Sequence, residues 1–312
     1  MTVLAVDIGG TKLAAGIIEA DGAPRDCRQV PTPVGGDAET VWAALAGLLD
    51  AVLPAAGAPV TGAGVGCGGP MTWPDGVVDP LNIPGWRGFP LRARLAGRFG
   101  LEVRLHNDAV CAAVGEHWRG AGRGIDDLLG MVVSTGVGGG LILGGRLVDG
   151  ASGNAGHIGH LVVEPDGPVC GCGGRGCLEA VARGPAIVDW AVSRGWAGAR
   201  SARMLAEAAR AGDPVAVGAF QRAGELVGLG VAGAVALTDV RLVVIGGGVA
   251  QAGEVFFGPV RTSYRRHARV AHARRTEIVP AALGTRAGLV GAAALVLCGH
   301  RYWSPPARSR DH

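Results

Sequence analysis

The sequence predicts an α/β fold, and three observations carry that reading. Short apolar strands alternate with helical stretches, a strand, glycine turn and strand unit occurs twice, and glycine-rich turns sit at strand ends. Recurrence of the unit points to a duplicated domain. With 312 residues and 48% hydrophobic content, the chain is long enough for two domains and carries no disorder signature.

In chain order, residues 3–7 read as an apolar strand, GGTK as a turn, 13–18 as a second strand and 38–53 as a helix by apolar periodicity. Residues 61–66 and 101–105 read as further strands, with a helix over 91–99 between them. A helix over 107–118 opens on HND, an Asn-Asp pair suited to capping. The unit restarts with a strand over 128–134, followed by TGVGGG and a strand over 141–143. Helices over 203–210 and 215–237 come next, then a strand over 241–245 running into GGGVA, and a last apolar helix near 287–298. Residues 301–312, with two prolines and mixed charge, read as a loose tail.

Composition excludes several function classes. The formal charge is only +3, and no basic stripe interleaved with aromatics suggests a nucleic-acid partner. The longest apolar runs, such as 226–237, fall short of the roughly 18–20 residues of a membrane span, and residues 1–8 lack a basic leader. The expectation is a cytoplasmic protein without membrane contact. Seven cysteines, three of them within eight residues, suit a metal site in a reducing compartment better than a disulfide framework.

DIGGTK at 7–12, STGVGGG at 134–140 and GGGVA at 246–250 each follow a strand, so their backbone amides can line an anion site. Neither of the first two is a Walker loop, because the four-residue gap and the following helix are missing. Any one of them reads as an ordinary β-turn; three together suit a nucleotide held between two lobes.

DIGGTK, HNDA, STGVGGG, GHIGH and CGCGGRGCLEA, in that order, resemble the ROK family of sugar kinases and related repressors, over essentially residues 2–300. The resemblance implies the two-lobed actin/hexokinase-like (ribonuclease H-like) fold, with ATP and sugar in the cleft between the lobes. One lobe would be 1–118 completed by the helix at 287–300, the other 119–286 with the metal loop, and 301–312 the tail. It assigns ATP binding to Asp7, Gly9, Gly10, Thr11 and Lys12, to Thr135, Gly136, Gly138 and Gly139, and to Gly247 and Gly248. Mg2+ would travel with ATP near Asp7 through water. The family pattern suggests a homodimer.

The pair at 107–108 alone reads as a helix cap. The resemblance makes Asp108 the general base, which suits phosphoryl transfer, where one carboxylate accepts the proton of the attacking hydroxyl. Capping and catalysis are compatible, since the helix dipole favours a negative charge there.

Cys170, Cys172 and Cys177 form C-x-C-x4-C, a loop able to fold three thiolates around one ion, and His160 supplies a fourth ligand for tetrahedral Zn2+. Such a closed site is structural, bracing the sugar loop. His157 is then surplus to the metal. In most ROK sugar kinases the position of His157 is glutamate; the AGHIGH wording resembles the N-acetylmannosamine kinase branch, whereas LNIPGW at 81–86 resembles glucokinase wording. The sugar contacts implied are Asn82, Asn107, Asp108, His157, His160 and Glu179. A second departure is Gly68, where much of the family has proline.

The expected activity is therefore ATP-dependent phosphorylation of a sugar 6-hydroxyl, first of N-acetylmannosamine, with glucose as the alternative. A sugar-responsive transcriptional regulator is the rival class, disfavoured because the first strand begins at residue 2 and leaves no room for a helix-turn-helix.

Overall fold

The computed structural model describes residues 1–304. It divides into two compact units: one of Met1–Arg123, Gly140–Ala155 and the chain from Thr285, the other of Gly124–Gly139 and Gly156–Gly284.

The first unit is built on β1 (Thr2–Ile8), β2 (Lys12–Glu19), β3 (Pro24–Pro31), α1 (Ala38–Val52), β4 (Ala63–Cys67), the short pair β5 (Met71–Thr72) and β6 (Val77–Val78), α2 (Leu91–Phe99), β7 (Val103–Asn107) and α3 (Asp108–Arg119). Its sheet runs β3-β2-β1-β4-β7, with β1–β2 antiparallel and β1–β4 and β4–β7 parallel. After β8 (Leu128–Val133), β9 (Val137–Leu143) and β10 (Arg146–Leu147) come α4 (Leu178–Ala182), α5 (Gly184–Ser193), α6 (Ala202–Arg210), α7 (Pro214–Thr238), β11 (Leu242–Gly246), α8 (Glu254–His267), β12 (Glu277–Pro280), α9 (Ala287–Leu297) and α10 (Gly299–Tyr302). The second sheet runs β10-β9-β8-β11-β12, with β8–β11 and β11–β12 parallel. A hairpin leading into parallel strands thus occurs twice, as the repeated glycine unit predicts.

Helix α9 is apolar all round because it is covered all round. A Cβ at Gly64 of β4 would lie 1.8 Å from the Ala292 carbonyl oxygen, and one at Gly291 only 1.6 Å from that of Cys111. Backbone therefore meets backbone across α3, α9 and the sheet, an approach closed to any larger residue.

Several sequence expectations need correction. Strands β3 and β12 and helices α5 and α8 were not anticipated; β3 is mostly exposed and charged, so it lacks the alternating apolar signal. The glycine run at 134–140 is a turn only as far as Gly136, for β9 already begins at Val137. A Cβ at Gly139 would sit 2.7 Å from the Gly130 carbonyl oxygen and one at Gly140 2.9 Å from the Ala113 Cβ, so these two glycines serve a crowded strand. Residues 38–56 do reach the length and hydropathy of a membrane span. Their apolar stripe, Val41, Leu45, Leu49 and Val52, is fully buried in the first unit's core. The tail does not begin at 301 either: the Arg301 guanidinium donates to the Gly145 carbonyl at 2.9 Å, Tyr302 is buried against His117 at 2.8 Å, and Trp303 meets Trp73 edge-on. The rest of the expected tail, 305–312, lies outside the described residues.

Candidate active site

In the first unit, Ile8 pairs with Leu13, so residues 9–12 are forced into a tight turn. Its carbonyls are tied back. Gly9 N–H donates to the Lys12 carbonyl at 3.0 Å, while Thr32 donates its hydroxyl to the Gly9 carbonyl at 2.6 Å and its N–H to that of Thr11 at 3.1 Å. Among the described residues no acceptor takes the Gly10 or Thr11 amide, which leaves both to a ligand.

Asp7, the penultimate residue of β1, lies beside this turn. Burial first, then the nearby Asp108 carboxylate, push its acid up to about 6, with Lys12 opposing. A Cβ on Gly288, at the start of α9, would lie 2.9 Å from an Asp7 carboxylate oxygen. The carboxylate is thus packed close to that helix's first turn.

Asn107 caps α3 through its side-chain oxygen, which accepts from Ala109 N–H at 3.0 Å, and Asp108 accepts from the same amide at 2.8 Å. Asn82 reaches this group from the 81–86 loop, anchored by the buried Trp86, which stacks on Phe89 at 4.4 Å and donates to the Ala38 carbonyl at 3.1 Å. A Cβ at Gly10 would strike the Asn82 Cβ at 2.6 Å, one at Gly68 would crowd the Asn82 oxygen at 3.2 Å, and one at Gly69 the Asn107 amide at 3.2 Å. Gly68 is therefore a point of close approach to Asn82, which is an account its sequence position alone does not supply. Asp7, Gly9, Gly10, Thr11, Lys12, Asn82, Asn107 and Asp108 gather at one end of the first sheet.

Sequence reasoning missed a pair beneath them. His106 and Asp149 are buried, and Asn107 N–H donates to His106 Nδ1 at 2.8 Å. With Nδ1 accepting, the ring proton sits on Nε2 and is donated to Asp149 at 3.1 Å. The pair fixes the backbone just ahead of Asp108. Only the histidine of the HND wording signalled it; Asp149 lies 43 residues away.

The second unit holds the other residues. Strands β8 and β11 run parallel, so the turns after them lie at the same sheet end. Gly247, at φ 93°, passes so near Val133 that a Cβ would be 2.3 Å from its carbonyl oxygen, and Gly248 comes within 3.5 Å of Ser134 in the same sense. The Thr135–Gly136 turn and Gly247–Gly248 are thus brought together, whereas Gly138 and Gly139 lie within β9. Glu179, in the first turn of α4, accepts from Val137 N–H at 2.9 Å, and a Cβ at Gly136 would stand 2.8 Å from its carboxylate.

His160, Cys170, Cys172 and Cys177 form one cluster, their donor atoms all within 4.8 Å of one another. The Cys172 and Cys177 sulfurs are 3.8 Å apart, and Cys170 sulfur is 3.9 Å from His160 Nδ1. Ligands about 2.3 Å from a tetrahedral centre are separated by about 3.8 Å, so the set fits a closed four-coordinate ion. His157 is not among these ligands. Its ring lies 6.1 Å from that of His160 and nearly parallel to it.

The family model for the ROK family matches residues 3–298. The chain belongs to the ROK family. It is 39% identical over 297 residues to an N-acetylmannosamine kinase of Shigella boydii, covering 95% of this chain and 98% of that one. It is 35% identical over 311 residues to a glucokinase of Thermotoga maritima, covering 95% and 97%. Among solved structures it matches a ROK glucokinase from Streptomyces griseus in complex with glucose and AMPPNP, with a TM-score of 0.84, 37% identity, and coverage of 95% and 99%. The α/β duplicated, actin/hexokinase-like fold expected for a ROK chain is the fold this one adopts.

Proposed function

We propose that this ROK protein is an ATP-dependent kinase that phosphorylates the 6-hydroxyl of N-acetylmannosamine, with glucose as the alternative substrate. The observation that carries the reading is the gathering of Asp108, Asn107, Asn82 and the amide-lined turn 9–12 at one sheet end, in a chain 39% identical to a kinase of that name. Asp108 accepts the proton as the sugar oxygen attacks; Asn82 and Asn107 hold sugar hydroxyls. The Gly10 and Thr11 amides and Lys12 take phosphate oxygens, and Thr135, Gly136, Gly247 and Gly248 border the rest of the nucleotide. The Asp7 carboxylate beside the turn suits a hydrated Mg2+, which would neutralise phosphate charge when bound.

The Cys3His cluster supports a structural Zn2+. With His160 Nδ1 turned to the ion, its Nε2–H is left for a sugar hydroxyl beside Glu179 and His157. Glutamate at 157 would offer only acceptors, suited to a pair of hydroxyl donors; neutral imidazole offers one N–H to an acetamido carbonyl, which a carboxylate would repel. Cytoplasmic location rests on the cysteine pattern, with three thiols clustered as for a metal and no disulfide among the described residues, and a homodimer on the family resemblance alone. Asp108→Asn tests the base: kcat should fall roughly 10²–10⁴-fold with sugar affinity kept, and near-normal turnover removes Asp108 from the mechanism.

A further inference from the structure

Residues 261–277 carry six arginines against one glutamate, more positive charge than the +3 of the whole protein, so the remainder of the chain is net acidic. Arg261 and Arg265 stand one turn apart on α8, Arg269 follows the helix, and Arg274 and Arg275 precede β12. These five line a single concavity of about 670 Å³, together with Glu277. Tyr264 and Thr276, both buried, line it too; Tyr264 donates to the Ala273 carbonyl, and Thr276 to that of Val240 at 2.7 Å. The walls are therefore fixed.

The charge is not consumed internally. Arg261 pairs with Glu254 at 2.9 Å, but among the described residues no ion pair engages Arg265, Arg269, Arg274 or Arg275. Cations in a last helical turn favour the helix dipole, which accounts for Arg265. It does not account for Arg269, Arg274 and Arg275, which lie beyond the helix. Guanidinium groups of one sign around a concavity repel one another until an anion enters, and a walled cleft focuses that field.

We propose that this concavity binds a small anion carrying two or more phosphoryl groups. Guanidinium forks match phosphate oxygens two at a time, and the volume falls within the roughly 300–1,000 Å³ of small-molecule sites. Base recognition has no platform here, because the aromatic ring in the lining is buried and its hydroxyl is committed. The site is also separate from the glycine turns. Residues 277–279 of β12 pair with Leu242–Val244 at the start of β11, whereas Gly247 follows its end, and Arg261, the first lining residue on α8, lies seven residues, roughly 10 Å, along that helix from its start.

The test is calorimetric titration of the full chain, with AMPPNP present throughout, using tripolyphosphate, a hexose bisphosphate, inorganic phosphate and sulfate. Arg269→Glu/Arg275→Glu and the charge-keeping Arg269→Lys/Arg275→Lys are compared with the parent. Tripolyphosphate or the bisphosphate should bind more tightly than phosphate or sulfate, and whichever is the tighter identifies the source as inorganic or metabolic. Affinity should drop about tenfold or more in the glutamate variant, less in the lysine variant, and weaken from about 50 to about 300 mM salt. Unchanged melting and kinase activity in both variants would tie the loss to the concavity. Equal affinity for sulfate and tripolyphosphate, binding undiminished by the glutamate variant, or tighter binding of a short oligonucleotide would overturn the proposal.

Discussion

Replacing Asp7 by asparagine should stabilise the magnesium-free, nucleotide-free protein at neutral pH. Asp7 is held beside Asp108 at a buried strand end, and its pKa is raised from the ordinary 3.8 to about 6, chiefly by burial and secondarily by Asp108. The folded state therefore binds the Asp7 proton more tightly than the unfolded chain does. Its contribution to stability is intact below pH about 4 and is lost as the pH rises through about 6. Two pKa units correspond to about 3 kcal/mol, an upper value for what a neutral isostere recovers at pH 7.5. Urea unfolding of parent and Asp7→Asn at pH 7.5 and pH 4.5, followed through the transition of the first unit, reads the difference directly. The variant should be more stable at pH 7.5, by up to that amount, and the gap should narrow at pH 4.5. A variant less stable at pH 7.5, or a gap that does not change with pH, would refute the reasoning. Loss of turnover in the same variant would mark Asp7 as a residue kept for function against stability.

Two further outcomes follow from the geometry. Elemental analysis of the parent should give one Zn2+ per chain, and Cys172→Ser should lose that metal and with it sugar binding, because the segment carrying His160 and Glu179 loses its brace; active protein without zinc contradicts this. Asp149→Ala should cost about 1–3 kcal/mol by stranding the buried His106 N–H and should lower kcat more than it raises the KM for ATP, while Asp149→Asn, which still offers an oxygen, restores both; an unchanged kcat in Asp149→Ala removes the pair from any positioning role.

The sequence made the local chemistry legible and left the long-range contacts hidden. DIGGTK announces a turn because glycine, threonine and lysine follow an apolar strand, and the structure ties that turn down as a tight hairpin. C-x-C-x4-C with His160 is legible for the same reason: the ligands are near neighbours in the chain, and they converge. Asp149 was illegible because its partner His106 is distant and a lone aspartate near a glycine carries no periodic signal. The extent of the turn after β8 was not legible, since glycine demanded by a crowded strand, as at Gly139, looks the same in sequence as glycine demanded by a turn. Strand β3 and helix α8 escaped because their charged residues mask the apolar period; Arg261 and Arg265 of α8 line the concavity instead.

The central claim turns on the sugar. A coupled assay of kcat/KM for N-acetylmannosamine and for glucose, with saturating Mg·ATP, should give the higher value for N-acetylmannosamine in the parent chain and a ratio shifted towards glucose in His157→Glu. Robust glucose phosphorylation with no turnover of N-acetylmannosamine would contradict the account and make the chain a glucokinase in which His157 has no explained role.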